Sequence, residues 1–199
     1  MPGLPSEQAR VLLQKIELAA RFGVDWIQIR EKDLSARELA LLVTETARRV
    51  PRSCKIIVND RLDVAFAAGA GGVHLGERSV LVEQAKRFLA DKNPGRDFLV
   101  GVSTHSLAAA QSAQAGGVDY VMFGPVYETP SKAAFGPPQG LSRLAEVCRS
   151  VSVPVIAIGG VTLDNAPECL RAGAAGIAAI RLFQDISDLQ AVLRPLRSP

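Results

Sequence analysis

Short aliphatic runs rich in Val and Ile alternate along the chain with longer stretches in which apolar positions recur at three- and four-residue spacing. The first pattern predicts buried strands and the second amphipathic helices. Strands are expected at Val24–Arg30, Lys55–Val58, Gly72–Leu75, Phe98–Val102, Tyr120–Phe123, Val153–Ile158 and Gly176–Ile180. Helices are expected at Glu7–Arg21, Ala36–Arg49, Val80–Ala90, Leu107–Ala115, Leu141–Ser150, Asp164–Arg171 and Ser187–Leu193, with a shorter one at Leu62–Ala68.

Three joints, AAGAGGVHL, AQAGGVDYV and RAGAAGIAAI, run from a helix end through Ala and Gly into a strand, and FGVDWIQI is a looser fourth. A repeated joint implies a repeated βα unit. Glycine there supplies the left-handed residue that stops a helix, and small side chains let helix and sheet approach. Units at this spacing build either a closed barrel or an open doubly wound sheet. The seven strands and four similar joints favour an α/β fold of the (β/α)8 TIM-barrel type, as one domain over residues 1–199. The stretch MPGLPSEQ passes directly into a helix, so the first strand of such a barrel is expected to be missing, leaving exposed edges on its neighbours.

Composition narrows the partners. A chain of 199 residues, 48% hydrophobic and 22% charged, has material for one sizeable core. Its net charge of +3 is scattered, which argues against a nucleic-acid surface. Cys54, Cys148 and Cys169 lie outside any metal-ligand spacing and read as small core residues of a reducing compartment. With no leader-like start and no apolar run long enough for a bilayer, a soluble cytoplasmic protein without a membrane partner is expected. No exposed apolar helix face stands out, so association into a homo-oligomer is left undecided.

The ends of the expected strands are loaded with polar residues, and in a barrel of this topology that rim carries the active site. Gln28, Arg30 and Lys32 step along the first strand, with Ile27 and Ile29 between them, so the period of two turns Gln28 and Arg30 inward. Asn59 and Asp60 follow the second strand, His74 sits in the third, and Glu77, Arg78 and Ser79 follow it. Ser103, Thr104 and His105 follow the fourth. Plainer readings stand beside these: a solvated strand exit for Arg30 and Lys32, a helix cap for Asn59 and Asp60, a packed strand histidine for His74, and capping around His105. The stretch from Tyr127 to Gly140 has the length of a lid or binding loop. Gly159 and Gly160 before a helix offer bare amides to an anion. Together with Thr129, Ser131, Lys132 and Arg181 they favour a phosphorylated substrate.

QIREKD at Gln28–Asp33, IIVNDRLDVAFAAGAGGVHLGER at Ile56–Arg78, GVSTHS at Gly101–Ser106, DYVMFGPVYETPSK at Asp119–Lys132 and PVIAIGGVTLDN at Pro154–Asn165 resemble, in order, the signatures of the thiamine phosphate synthase family. Thiazole tautomerases share that superfamily. The resemblance implies a (β/α)8 barrel that joins hydroxymethylpyrimidine pyrophosphate to hydroxyethylthiazole phosphate through a pyrimidine carbocation, releasing pyrophosphate with the help of Mg²⁺. It assigns Gln28, Arg30, Lys32 and Asn59 to the pyrimidine pyrophosphate, Asp60 to Mg²⁺, and Ser103 and Lys132 to the pyrophosphate. Thr129 and Ser131 fall on the pair that binds the thiazole phosphate, and Gly160 and Ile180 on its backbone cradle.

Two positions depart from that pattern. Ser79 stands where the family carries its second metal-binding aspartate, a neutral and weaker ligand for a hard cation, with Glu77 near in sequence. Arg181 stands where a serine usually follows Ile180, and its guanidinium can grip a phosphate. The tautomerase alternative makes His105, in STHS, the acid/base for a thiazole carboxylate phosphate. A third reading is a non-catalytic relative that keeps only the phosphate pocket. Lys32, Asn59 and Asp60 favour the synthase, because they suit a pyrophosphate and its metal.

Overall fold

The computed structural model describes residues 7–76, 79–92, 97–129 and 137–184. Helix and strand alternate as α1 (Glu7–Arg21), β1 (Trp26–Ile29), α2 (Ala36–Arg49), β2 (Lys55–Asn59), α3 (Leu62–Ala67), β3 (Gly72–Leu75), α4 (Val82–Lys92) and β4 (Leu99–Thr104). They continue as α5 (Leu107–Ala115), β5 (Tyr120–Phe123), α6 (Gly140–Ser150), β6 (Val155–Ile158), α7 (Ala166–Arg171), β7 (Gly176–Ala178) and α8 (Arg181–Gln184).

The seven strands form one parallel sheet in strict chain order, β1 to β7. That order excludes the doubly wound alternative, in which the strand order reverses at a switch point. The sheet is curled. In a flat sheet β1 and β5 would lie roughly 19 Å apart, at about 4.8 Å per strand. Instead Trp26 on β1 and Tyr120 on β5 meet with ring centroids 4.8 Å apart, so the strands wrap around a shared interior as in a barrel. Among the described residues β7 makes no ladder with β1, and no eighth strand lies between them.

Alternation of side chains divides the sheet into two faces. Ile29, Val58, Val73 and Val100 lie in one row across β1–β4 and point outward, against Leu13, Leu39, Leu42 and Val43 of α1 and α2. Val121, Phe123, Val155 and Ala157 continue the outer face against Leu144, Val147 and Cys169. Val82 and Val102 touch both halves of this shell. Each Val or Leu buried there contributes roughly 1.5–3 kcal/mol. The outer face therefore carries most of this core, while the inner one combines Ile57, Tyr120 and Met122 with the polar residues of the strand ends.

The repeated joint is a repeated helix stop. Gly23, Gly69, Gly117 and Gly173 all have positive φ, and the following residue donates its amide back five positions, as in Val24 to Ala19 and Val118 to Ala113. This is the 6→1 bond of a glycine-terminated helix.

Element ends differ from expectation where polar side chains intervene. β4 runs on to Thr104 because Ser103 and Thr104 pair in register with Met122 and Phe123. α4 starts at Val82, after a turn in which Ser79 bonds the Gly76 amide and which leaves Val80 and Leu81 exposed. α7 starts at Ala166, because Thr162 and Asn165 close a side-chain turn ahead of it. β1 stops at Ile29 and β7 at Ala178, and the short α8 was not anticipated. The helix expected at Ser187–Leu193 lies outside the described residues. Val11 and Leu18, two turns apart on α1, and Leu41 on α2 are exposed, an apolar feature that the pattern did not single out. Among the described residues no helix is long and apolar enough to cross a membrane.

Candidate active site

The carboxyl ends of β1–β4 gather the first group of expected residues. Gln28 points inward from β1, and its Nε2 donates to Oδ1 of Asn59 on β2 at 2.9 Å. Ile27 and Ile29 face the outer shell, so the alternating stripe is a barrel-inside stripe. Arg30 and Lys32 follow the strand, exposed at its exit. Their charges face solvent, where an anion would arrive.

Asp60 is the one described non-glycine residue with positive φ, 68°. Asp tolerates that left-handed conformation better than most residues. Its amide donates to the His74 carbonyl at 2.8 Å, and its carboxylate accepts a hydrogen bond from the Ser79 hydroxyl. Ser79 in turn accepts the Gly76 amide at 2.7 Å. The two expected metal-binding positions are thus in contact. Asn59 and Asp60 do not cap α3, whose start has no side-chain cap.

Deeper in the barrel, Asn59, His74, Gly101 and Tyr120 form one inward-facing row across β2–β5. His74 is buried, bonded through Nε2 to the Ser103 hydroxyl at 2.9 Å and through Nδ1 to the Tyr120 hydroxyl at 3.2 Å. Burial pushes its pKa down to about 4, so the imidazole is neutral at physiological pH. The Tyr120 phenol is pushed upward, first by burial and then by Asp119. Sequence reasoning found His74 as a packed histidine but missed Tyr120 and Trp26. The register that sets Tyr120 beside Gly101, and the curl that brings Trp26 onto its ring, reveal their connection.

His105 lies just past β4, where its Nδ1 donates to the Gly124 carbonyl at the exit of β5. Ser106, next to it, caps α5 through the Ala109 amide.

The second group lies at the ends of β5–β7. Arg181, the first residue of α8, donates to the Thr129 hydroxyl at 3.4 Å. Ile180 precedes it with its side chain exposed. Gly160 has positive φ, and a Cβ there would lie 2.4 Å from the Glu128 carbonyl oxygen. Bare backbone is therefore required where the β5 and β6 exits meet. Asn165 fixes this loop by donating to the Gly160 carbonyl at 3.0 Å and accepting from the Thr162 amide at 2.8 Å. Tyr127 is tied to Glu168 at 2.8 Å. Neither Asn165 nor Tyr127 was named as a site residue, and both act by holding the loop. Ser131, Lys132, Glu77 and Arg78 lie outside the described residues.

Among the described residues no cluster of three or more His, Cys, Asp or Glu could cage a metal. Asp60 offers a carboxylate at the β2 exit, with the Ser79 oxygen beside it. Such a set suits Mg²⁺ better than other metals, since Mg²⁺ is commonly held by one or two carboxylates together with phosphate oxygens and water.

The family model described as thiamine monophosphate synthase matches residues 4–183. A thiamine-phosphate synthase of Methanoculleus marisnigri is 44% identical over 183 residues, covering 90% of this chain and 83% of that protein. Among solved structures, a thiamine phosphate pyrophosphorylase from Pyrococcus furiosus superposes with a TM-score of 0.83 at 30% identity, over 96% of this chain and 90% of that one. A 3-hexulose-6-phosphate synthase superposes with a TM-score of 0.73 at 20% identity, over 95% and 93% of the two chains, a likeness of fold alone.

Proposed function

The chain belongs to the thiamine monophosphate synthase family, and from that premise we propose how its rim carries out the transfer. It is a thiamine-phosphate synthase, a transferase of thiamine biosynthesis. The substrates implied are a pyrimidine pyrophosphate and a thiazole phosphate.

One observation supports the assignment of residues: the described members of the expected anion-binding set lie at strand ends, on two arcs of one rim. The β1–β4 arc presents Gln28, Asn59, Asp60 and Ser103, with Arg30 and Lys32 at the β1 exit. We assign it the pyrimidine pyrophosphate. The β5–β7 arc presents Thr129, Arg181 and the backbone at Gly160 and Ile180. It takes the thiazole phosphate, with Ser131 as a further contact expected from the sequence, while Lys132 is expected to reach across to the pyrophosphate.

In this reading the bond between the pyrimidine methylene carbon and the pyrophosphate oxygen breaks, and both electrons leave with pyrophosphate. The thiazole nitrogen then donates its lone pair to the carbocation. The chain's work is to hold two anions in register and to stabilise charge on the leaving group, which asks for cations and donors rather than a strong base. We give that work to Lys32, Arg30 and the Ser103 hydroxyl. Mg²⁺, held through Asp60 with Ser79 alongside, would neutralise charge developing on the departing oxygens. His105 links the exits of β4 and β5 through the Gly124 carbonyl, and we give it a positioning role. The three thiols are free, which suits a reducing cytoplasm. Formation of thiamine phosphate from both substrates with Mg²⁺ tests the reading, and replacement of Lys32 or Asp60 by Ala is expected to abolish most of it.

A further inference from the structure

The residues below the rim form a chain of contacts that the transfer does not by itself require. Tyr120 on β5 reaches His74 on β3 across the intervening strand β4. It can do so because β4 carries Gly101 at that row, where a Cβ would lie 2.0 Å from Cζ of the Tyr120 ring. Trp26 covers the ring from the β1 side, with centroids 4.8 Å apart. From His74 the chain continues at Nε2 to the Ser103 hydroxyl, whose exposure is intermediate while His74 and Tyr120 are buried.

A neutral imidazole has one donor and one acceptor nitrogen, so this chain has two directions. If His74 carried its proton on Nδ1 it would donate to Tyr120, and the phenol hydrogen would be buried with no acceptor among the described residues. Native interiors avoid that arrangement. In the other direction the phenol donates to Nδ1, and Nε2–H donates to Ser103 Oγ. Every buried donor is then used, and the Ser103 hydrogen is left to point away from His74. Among the described residues Ser103 Oγ has no other hydrogen-bond partner.

We propose that Tyr120 and His74 are positioning residues that fix the Ser103 hydroxyl as a hydrogen-bond donor toward the anion bound at the rim. This rests on the assignment of Ser103 to the leaving pyrophosphate. The phenol sets the tautomer, the tautomer fills the serine oxygen with a donor, and the serine proton becomes available to the leaving group. A hydroxyl held in this way needs no reorientation as charge develops, which is the advantage of preorganised donors.

The chain contains only two histidines, His74 and His105, so ring tautomers can be read directly from the full-length protein labelled with ¹⁵N-histidine. Long-range ¹H–¹⁵N correlation at neutral pH should show His74 protonated on Nε2 alone. His105, which donates from Nδ1 to a carbonyl, should show the opposite tautomer, and His105→Asn assigns the two. A His74 ring protonated on Nδ1, or on both nitrogens, overturns the proposal. Tyr120→Phe should lower kcat about tenfold with KM for the thiazole phosphate unchanged, and should leave His74 as a mixture of tautomers. A purely structural role would lower stability without moving either quantity. Ser103→Ala separates the relay from the reading beneath it. An unchanged kcat in Ser103→Ala removes the serine from leaving-group binding and takes the proposal with it. A reduced kcat there, with wild-type kcat in Tyr120→Phe, overturns the relay alone.

Discussion

The Ser79 hydroxyl donates to the Asp60 carboxylate while accepting the Gly76 amide, so the residue at the second expected ligand position holds the first in place. The serine oxygen keeps one lone pair, enough for a weak contact to a cation but without the charge of a carboxylate.

Magnesium dependence should therefore be sensitive to position 79 in both directions. A hydrogen bond to a charged group is worth about 1.5–3 kcal/mol. Ser79→Ala is expected to raise the half-saturating Mg²⁺ concentration about tenfold or more, and Ser79→Asp to lower it. Initial rates across a Mg²⁺ titration decide the point, and identical curves for all three proteins would contradict the pairing.

Arg181 touches Thr129 from the start of α8, on the arc assigned to the thiazole phosphate. Removal of a charge-assisted contact of about 1.5–3 kcal/mol should raise KM by roughly tenfold or more. Arg181→Ala is predicted to do so for the thiazole phosphate, with KM for the pyrimidine pyrophosphate nearly constant. A reversed pattern in steady-state kinetics would move Arg181 to the other arc.

Much of this arc was legible in the sequence because its chemistry is local: Gly159 and Gly160 follow an aliphatic strand, and Arg181 follows another. The Arg181 to Thr129 contact was not legible, since it spans 52 positions and depends on the curl of the sheet. The inward Gln28 was readable from the period of two, whereas its bond to Asn59 required the register of β1 on β2. The aliphatic pattern predicts the fourth strand only to Val102, with Ser103 and Thr104 beyond it. They extend β4 because the barrel's inner face is polar at the site and Thr104 bonds the Met122 carbonyl. The seven-strand sheet appeared as expected, but the wrapping became visible only through Trp26 and Tyr120.

Gly160→Ala tests the close approach of the β5 and β6 exits. The left-handed backbone alone costs about 1–2 kcal/mol for a residue with a Cβ, and that atom would also meet the Glu128 carbonyl at 2.4 Å. A lower urea midpoint is expected, together with a raised KM for the thiazole phosphate. An unchanged midpoint would show that the loop yields without strain.

His74 supplies a pH signature. Its pKa is about 4 when folded and about 6.5 when unfolded, so between these values the unfolded chain binds the extra proton. Stability contributed by the neutral ring is complete above pH 6.5 and is lost as pH falls toward 4. The gap corresponds to about 3 kcal/mol, an upper figure for a single buried group. Urea unfolding in the presence of EDTA should show a smaller loss between pH 7 and 4.5 for His74→Asn than for the unsubstituted protein. Equal losses would contradict the burial argument.

The most direct test of the central claim is product formation by the purified chain given hydroxymethylpyrimidine pyrophosphate, hydroxyethylthiazole phosphate and Mg²⁺. The account predicts one thiamine phosphate and one pyrophosphate per turnover, lost on chelation, strongly reduced in Lys32→Ala and retained in His105→Asn. No thiamine phosphate, alongside a His105-dependent proton shift on a thiazole carboxylate phosphate, would contradict it.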